Sequence, residues 1–141
     1  MSALIDLTLS PPPGTEYTHK STIGLRVNSP LNQRKHWRAL LGAKRQQRDA
    51  GSLLAYQALK HLGQGFLRNI PWLRVEVTLT RVGARKMDDD NVAASFKSVR
   101  DGIAEWCGLD DGDDRWTWKC DQRSGSKVYA VEAVFVVGRA P

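Results

Sequence analysis

The chain has 141 residues, 41% of them hydrophobic, which suits one compact domain with a core of its own. Its two cysteines, Cys107 and Cys120, stand in apolar surroundings without the spacing of a zinc site, so we expect buried free thiols in a reducing compartment. The first residues lack a positive segment and contain Asp6, and no apolar run approaches the length of a membrane span. These features argue against secretion and membrane insertion and predict a soluble cytoplasmic protein.

The net charge of +6 is distributed unevenly along the chain. Residues 1–87 carry 14 Lys and Arg against 4 Asp and Glu, whereas residues 88–141 carry 7 against 11. A basic body with one concentrated acidic patch suits a protein that binds a polyanion and places metal-binding carboxylates against it. A solubilising surface charge would give the same numbers.

The first half of the chain predicts a strand followed by a helix. The proline-containing, polar stretch at residues 10–21 predicts an extended arm over residues 1–21, either ordered or disordered, ahead of a single domain at 22–141. Ile23, Leu25 and Val27 alternate with polar or small residues, as in a half-buried strand, which Asn28-Ser29-Pro30 would end. Good helix formers then run from residue 32 to about residue 62, with Gly51-Ser52 as a point where the helix could divide.

This helix and the turn before the acidic patch carry the candidate phosphate contacts. By their spacing, four arginines of the helix, 34, 38, 45 and 48, fall on one face. A basic turn, Ala84-Arg85-Lys86, follows the next strand. The candidate residues for contacts to a polyanion are Arg34, Lys35, Arg38, Arg45, Arg85 and Lys86.

The second half predicts a strand, a helix and two further strands. Residues 73–80 alternate strictly between apolar and polar side chains, and Gly83 ends this strand. The helix is predicted at residues 91–107 from an apolar stripe made by Val92, Phe96, Val99, Ile103 and Trp106.

Two β-rich runs, residues 116–121 and 127–137, flank a turn at 123–126 and predict a closing antiparallel hairpin. The order β-α-β-α-β-β predicts an α+β fold with helices packed on a mainly antiparallel mixed sheet.

The acidic run Asp88-Asp89-Asp90-Asn91 lies where a strand passes into a helix. Asp90 is the expected N-cap, because its carboxylate can accept the unpaired N–H groups of the helix. Capping needs only one aspartate, and three in a row repel one another unless a cation offsets the repulsion. Asp88 and Asp90 point to the same side of an extended segment, so the pair could ligate one hard metal ion.

Further charged residues follow on the same helix and after it. Lys97 and Asp101 share the helix face of Asp90, so Lys97 could neutralise a phosphodiester transition state, or it could be a solvated residue paired with Asp101. A second acidic run at residues 110–114 is either a polar turn or part of the same site, and the fold decides whether the two runs meet.

Other chemistries have little support in the sequence. The histidines, 19, 36 and 61, are scattered and none neighbours a plausible nucleophile, and there is no GxSxG, Walker A or GxGxxG motif. The five tryptophans are expected to fill the core, with Trp37, inside the basic helix, as the candidate exception.

With these residues in view, the chain resembles the RusA family of Holliday-junction resolvases of bacteria and their phages. Asp88, Asp90 and Asn91 match the family's Asp-x-Asp-Asn motif, which opens a helix. Lys97 and Asp101 keep the family's four-residue separation. The pair Asp110-Asp111, after Gly108-Leu109, matches the family's final acidic pair. The distance from Asp90 to Lys97 is about one helical turn longer than in the best-known member.

The resemblance implies a homodimeric Mg²⁺-dependent endonuclease, with Mn²⁺ as a substitute, that resolves four-way junctions by paired symmetric nicks in DNA recombination and repair. It implies Asp88, Asp90 and Asp111 as metal ligands and catalytic residues, with Asp114 as the alternate final ligand and Lys97 as a catalytic residue. It implies neither a nucleotide cofactor nor a membrane partner. The alternative is a basic DNA-binding protein without catalysis, whose acidic run caps a helix and faces solvent.

Overall fold

A computed structural model describes residues 14–27 and 37–139, without the side chains of residues 37–40. The elements in chain order are β1 (Glu16–Ile23), α1 (Trp37–Leu59), a 3-10 turn (Lys60–Leu62), α2 (Phe66–Asn69), β2 (Leu73–Val82), α3 (Asp89–Ser95), α4 (Lys97–Cys107), β3 (Trp116–Arg123) and β4 (Ala130–Arg139). The predicted α+β fold with helices and a mixed sheet is confirmed.

The four strands form one sheet in the order β1-β4-β2-β3. β4 runs antiparallel to both of its neighbours, β1 and β2, whereas β2 and β3 are parallel. The parallel pair is joined by α3 and α4, as a parallel connection requires. The last strand of the chain therefore lies inside the sheet.

The predicted hairpin of the last two strands is wrong. The turn after β3 passes over the end of β2, where the N–H of Gly125 donates to the carbonyl of Ala84 and that of Ser126 to the carbonyl of Gly83. β4 then enters between β1 and β2. The burial of the strands explains their positions in the sheet. β4 has no exposed residue and suits a central position, whereas most residues of β3 are exposed and suit an edge.

The first strand begins earlier than predicted. β1 covers residues 16–23, so residues 16–21 belong to the sheet and not to an arm, and residues 24–27 lie outside any strand. Every residue of β1 pairs with β4, from Glu16 with Gly138 to Ile23 with Val131. An edge strand can be this polar because one neighbour pairs half of its backbone groups, water can pair the other half, and only alternate side chains need burial. Residues 1–13 and the predicted stop at 28–30 lie outside the described residues.

α1 is one helix, and its predicted division at Gly51-Ser52 is wrong. Gly51 lies at a close approach of α1 to α4: a β-carbon there would collide with the carbonyl of Val99, and one on Gly102 would collide with the carbonyl of Arg48. The Ser52 hydroxyl also donates to the carbonyl of Gly102 over 3.1 Å. The glycine therefore permits helix packing and does not end the helix. The part predicted before Trp37 lies outside the described residues.

The core lies between the helices and one face of the sheet. The alternate residues of β2 and β4 that face the helices are buried, as is the predicted apolar stripe from Val92 to Trp106, which is thereby confirmed. The helix that carries this stripe is divided at Phe96 into α3 and α4. Among the described helices, none combines the length and the apolar character that a bilayer crossing needs.

The tryptophans follow the prediction and one cysteine does not. Trp106 and Trp116 are buried, and Trp72 and Trp118 pack partly buried against the core. The side chain of Trp37, the candidate exception, is not among those described. Cys107 is buried as expected, but Cys120 is exposed, because it lies on the edge strand β3, where most residues face solvent.

Candidate metal and nucleic-acid site

Two side chains of the sheet hold the segment that leads into α3, at Arg85 and Met87. Arg81 takes the position of β2 that follows four buried apolar residues of the same face, and it is only 6% exposed. Its Nη1 donates to the carbonyl of Arg85 over 2.8 Å, and its Nε donates to the carbonyl of Val27 over 3.4 Å. Arg81 thereby fixes the start of the segment.

Gln122 fixes the other end. It is the register partner of Arg81 on β3, so the two side chains rise next to each other from neighbouring strands. Its Nε2 donates to the carbonyl of Met87 over 2.6 Å, and its Oε1 accepts the N–H of Met87 over 2.8 Å. Such a paired amide contact fixes the backbone orientation of Met87 and, with it, the position of Asp88.

Asp88, and not the predicted Asp90, is the N-cap residue of α3. Its backbone is extended, at φ −60° and ψ 146°, and its carbonyl accepts the N–H of Val92 over 2.9 Å. The hydrogen bonds from Gln122 hold Met87 directly before Asp88, and the helix begins earlier than the sequence suggested. No side chain caps α3, so the carboxylate of Asp88 is not used by the helix backbone. Asp90 is exposed in the first turn, where the helix dipole favours a negative charge.

A basic cavity of about 580 Å³ opens beside Asp88. It is lined by Arg26, Arg81, Arg85, Lys86, Met87, Asp88, Asn91 and Tyr129. Four cationic side chains thus face one carboxylate, and we call this space the basic cavity. The guanidinium of Arg26 lies 4.7 Å from the centre of the Tyr129 ring. The basic cavity contains two of the predicted phosphate contacts, Arg85 and Lys86.

Three side chains of the basic cavity, those of Arg26, Arg81 and Tyr129, were not predicted from the sequence. A usable signal existed for Arg81, because it stands in phase with the apolar residues of β2, where a charged residue is out of place. No such signal existed for Arg26 and Tyr129, which come from distant parts of the chain.

Lys97 joins the helix to the second acidic run. Its Nζ donates to Oδ1 of Asp101 and to Oδ2 of Asp111, each over 2.8 Å. These hydrogen bonds, with that to Asp101 the stronger cause, raise the pKa of Lys97, and the bond from Lys97 lowers the pKa of Asp111. Lys97 is therefore a cation and Asp111 an anion at neutral pH. The indole N–H of Trp118 donates to the backbone carbonyl of Asp111 over 2.9 Å and anchors it to β3.

The rest of the second acidic run builds a turn. Asp110 accepts the N–H of Gly112 over 3.3 Å, and Asp113 accepts the N–H of Arg115 over 3.0 Å. Such contacts are typical of aspartates in turns. Asp114, the alternate final ligand, is exposed. Asp111 is the member of the run that meets Lys97.

The two parts of the predicted metal site are anchored at different points of β3. Asp88 is anchored near Gln122 and Asp111 near Trp118, four residues along β3, which corresponds to about 13 Å of strand. Mg²⁺ needs oxygen ligands at about 2.0–2.1 Å. In the described part of the chain, no three His, Cys, Asp or Glu residues lie close enough together to hold a metal ion. The oxygen donors have the chemistry that Mg²⁺ prefers, but in this conformation they do not form one coordination site.

The predicted DNA contacts on α1 are only partly described. Arg34 and Lys35 lie outside the described residues, and Arg38 belongs to α1 without a described side chain. Arg45 is exposed on α1. Arg48, on the same predicted face, pairs with Glu105 of α4 over 2.7 Å.

The chain matches no model of a known protein family, and no curated protein is significantly similar to it in sequence.

Proposed function

We propose that the protein is a Mg²⁺-dependent endonuclease that acts on branched DNA, with the four-way junction as its substrate. One observation carries the proposal: the carboxylate of Asp88, which no helix N–H uses, lines the same cavity as four cationic side chains. A nuclease needs this neighbourhood, because the cations attract the phosphate backbone and the carboxylate can hold a metal ion against it.

In this proposal Asp88, Asp90 and Asp111 would hold Mg²⁺ in a conformation that brings them within coordination distance, with Asp114 as the alternate to Asp111 and Mn²⁺ as a substitute ion. When bound, the ion supplies an activated water and charge neutralisation at the phosphate. Lys97 lowers the pKa of Asp111 and would neutralise charge on the phosphate during the reaction.

The proposed DNA contacts extend from the basic cavity to the basic helix. Arg85 and Lys86 would bind phosphates beside Asp88, and Arg34, Lys35, Arg38 and Arg45 would bind phosphates farther along the junction arms. Paired nicks require two active sites, so the proposal includes a homodimer. A role in recombination and repair would place the protein in the cytoplasm.

A second candidate function is DNA binding without catalysis. The anchoring of Asp88 and Asp111 at different points of β3 favours it, as does the ion pair in which Lys97 already neutralises Asp111. The two functions differ in their response to divalent ions, because a carboxylate site is stabilised by a bound ion through mass action and a plain binding protein is not.

The deciding experiment incubates the protein with a labelled four-way junction and with a matching linear duplex, in Mg²⁺ or in EDTA. Asp90→Asn tests the site, and Asp49→Asn, an exposed aspartate of α1, is the matched control. We expect paired nicks in the junction that require the metal, with cleavage reduced at least about 100-fold in Asp90→Asn, in the range of losses on removing one catalytic charge-stabilising group. Asp49→Asn should cleave normally.

The opposite outcome would be a wild-type protein that binds the junction but leaves it intact in Mg²⁺ and Mn²⁺. That outcome would support DNA binding without catalysis. Cleavage that persists in Asp90→Asn would remove Asp90 from the site.

A further inference from the structure

Arg81 carries a charge that the described part of the chain does not neutralise. The residue is 6% exposed, and its hydrogen bonds go to two backbone carbonyls, those of Val27 and Arg85. None of the ion pairs among the described residues includes it. A buried cation without a counter-ion is costly, so a ligand anion is the natural partner for it.

The surroundings of Arg81 hold two guanidinium groups in place. The Tyr129 ring supports the Arg26 guanidinium from one side, and a planar guanidinium fixed in this way keeps its N–H edge for a ligand. Gly83 leaves the room for this arrangement, because a β-carbon there would lie 3.1 Å from Tyr129 Cε1 and 3.3 Å from Arg81 Nη1. Two oriented guanidiniums match the oxygens of a phosphate group.

The position of the basic cavity indicates which phosphate it takes. Asp88 and Asn91 form part of its wall, so an anion bound there lies directly beside a proposed metal ligand. Four cations against one carboxylate leave a strongly positive site. Its volume of about 580 Å³ is that of a typical ligand pocket, larger than a single ion needs.

We propose that the basic cavity binds a backbone phosphate of DNA next to the phosphate that is cleaved, with Arg26 and Arg81 as its principal contacts. This inference rests on the proposed function and adds a DNA subsite to it. The subsite positions the strand and takes no part in bond cleavage. It therefore works without a metal ion, which separates its test from the cleavage assay.

The first test asks whether the basic cavity binds phosphate at all. The melting temperature of the full chain is measured in EDTA with inorganic phosphate and with chloride at equal ionic strength. We expect phosphate to raise the melting temperature of the wild type, because a ligand that binds only the folded state stabilises it. The rise should disappear in Arg26→Ala, whose side chain is exposed.

Two further variants complete this test. Arg74→Ala is the matched control, an exposed arginine of the same strand as Arg81 but about 23 Å along it, and it should keep the phosphate effect. Arg81→Lys keeps the charge but loses the planar donor edge. A folded variant that melts cooperatively should therefore show a smaller rise in melting temperature with phosphate than the wild type. A wild type that gains no stability from phosphate would overturn the anion site.

The second test asks whether the phosphate belongs to DNA. Binding of a labelled junction is followed in EDTA over a range of salt concentrations, so that no cleavage interferes. Loss of one phosphate contact in Arg26→Ala should weaken binding about three- to tenfold and reduce the slope of log K against log salt by about 1. Arg74→Ala should keep the wild-type slope.

An unchanged slope in Arg26→Ala would overturn the DNA subsite, and together with a lost phosphate effect it would assign the basic cavity to a free phosphate. Failure of the proposed nuclease function would appear differently, as junction binding without metal-dependent nicks.

Discussion

At the scale of single residues, the position of Asp88 depends on two side chains of the sheet. Arg81 and Gln122 are register partners on β2 and β3, and they hold the backbone at Arg85 and at Met87. Both use the face of the sheet that carries the core. The segment before α3 is therefore built on the sheet, even though it has no regular structure of its own.

Gln122 allows a direct test of this support. Gln122→Ala removes both bonds to Met87 and leaves two half-buried backbone groups without their partner, so we expect a loss of about 1–3 kcal/mol in the free energy of unfolding. Urea unfolding measures it, with Gln57→Ala, an exposed residue of α1, as the control. If the two variants lose the same small amount, the hydrogen bonds from Gln122 do not stabilise the fold.

The sequence predicted some residues of the candidate site correctly and others not. It placed Asp88 in the acidic patch from its neighbours alone, because that information is local. It assigned the N-cap to Asp90, since the bonds that set the helix start come from Gln122, 34 residues beyond Asp88. It paired Lys97 with Asp101 as one alternative, but the second partner, Asp111, became visible only once the loop after α4 was placed.

At the scale of elements, the contact between α1 and α4 depends on two glycines. Gly51 and Gly102 lie opposite backbone atoms of the partner helix, which a β-carbon would displace. Arg48 and Glu105 pair across the same interface over 2.7 Å, although both are exposed and such a pair contributes little. Close packing thus sets the distance between these helices.

Gly51→Ala tests this interpretation. The added methyl group must push α1 away from Val99, and we expect a destabilisation of about 1–3 kcal/mol, as for other overpacked contacts. Gly42→Ala is the matched control in the same helix, because nothing lies within 4 Å of its added carbon. That change should stabilise the protein by up to about 1 kcal/mol through helix propensity. Melting curves that shift in the same direction for both variants would contradict the close contact.

The periodicity of the sequence predicted elements well where one face is apolar. The strand at 73–82 and the helical stripe from Val92 to Trp106 have this character. β1 was placed too late because its residues are polar or only half-buried, and its strand conformation comes from pairing with β4. Gly51-Ser52 was a point where the helix could divide, because a sequence does not show which glycine meets another helix.

At the scale of the whole molecule, two histidines connect the edge strand to the end of the first helix. His19 of β1 and His61 of the 3-10 turn have ring centres 4.7 Å apart. Burial lowers the pKa of both, and the charge of His61 lowers that of His19 further. The Nε2 atom of His19 is buried without a hydrogen-bond partner among the described residues.

Stability should therefore fall in mild acid. The folded state binds protons at these histidines less readily than the unfolded chain, whose histidines titrate near 6.5, so stability is full above that pH and declines as the pH drops below it. Urea unfolding at pH 8, 7, 6 and 5 measures the decline. The double variant His19→Gln, His61→Gln should show a shallower fall between pH 7 and 5. The same fall in the variant would assign the acid sensitivity to other groups.

The topology of the sheet could not be predicted from the sequence. The order of elements was predictable, but the pairing of β4 with β1 and β2 depends on which strands have both faces covered, and this becomes known only when the helices are in place. The same limit applies to the proposed site, whose basic cavity collects residues from Arg26 to Tyr129.

The central place of β4 also governs the order in which the protein can fold during synthesis. β2, α3, α4 and β3 leave the ribosome before β4 and can form their parallel unit, but β1, which leaves earlier still, has no partner among them. Its pairing waits for the last strand, more than 100 residues later in translation. Until then β1 and one side of β2 present open edges, which makes the nascent chain a natural client for a chaperone that shields unpaired strands.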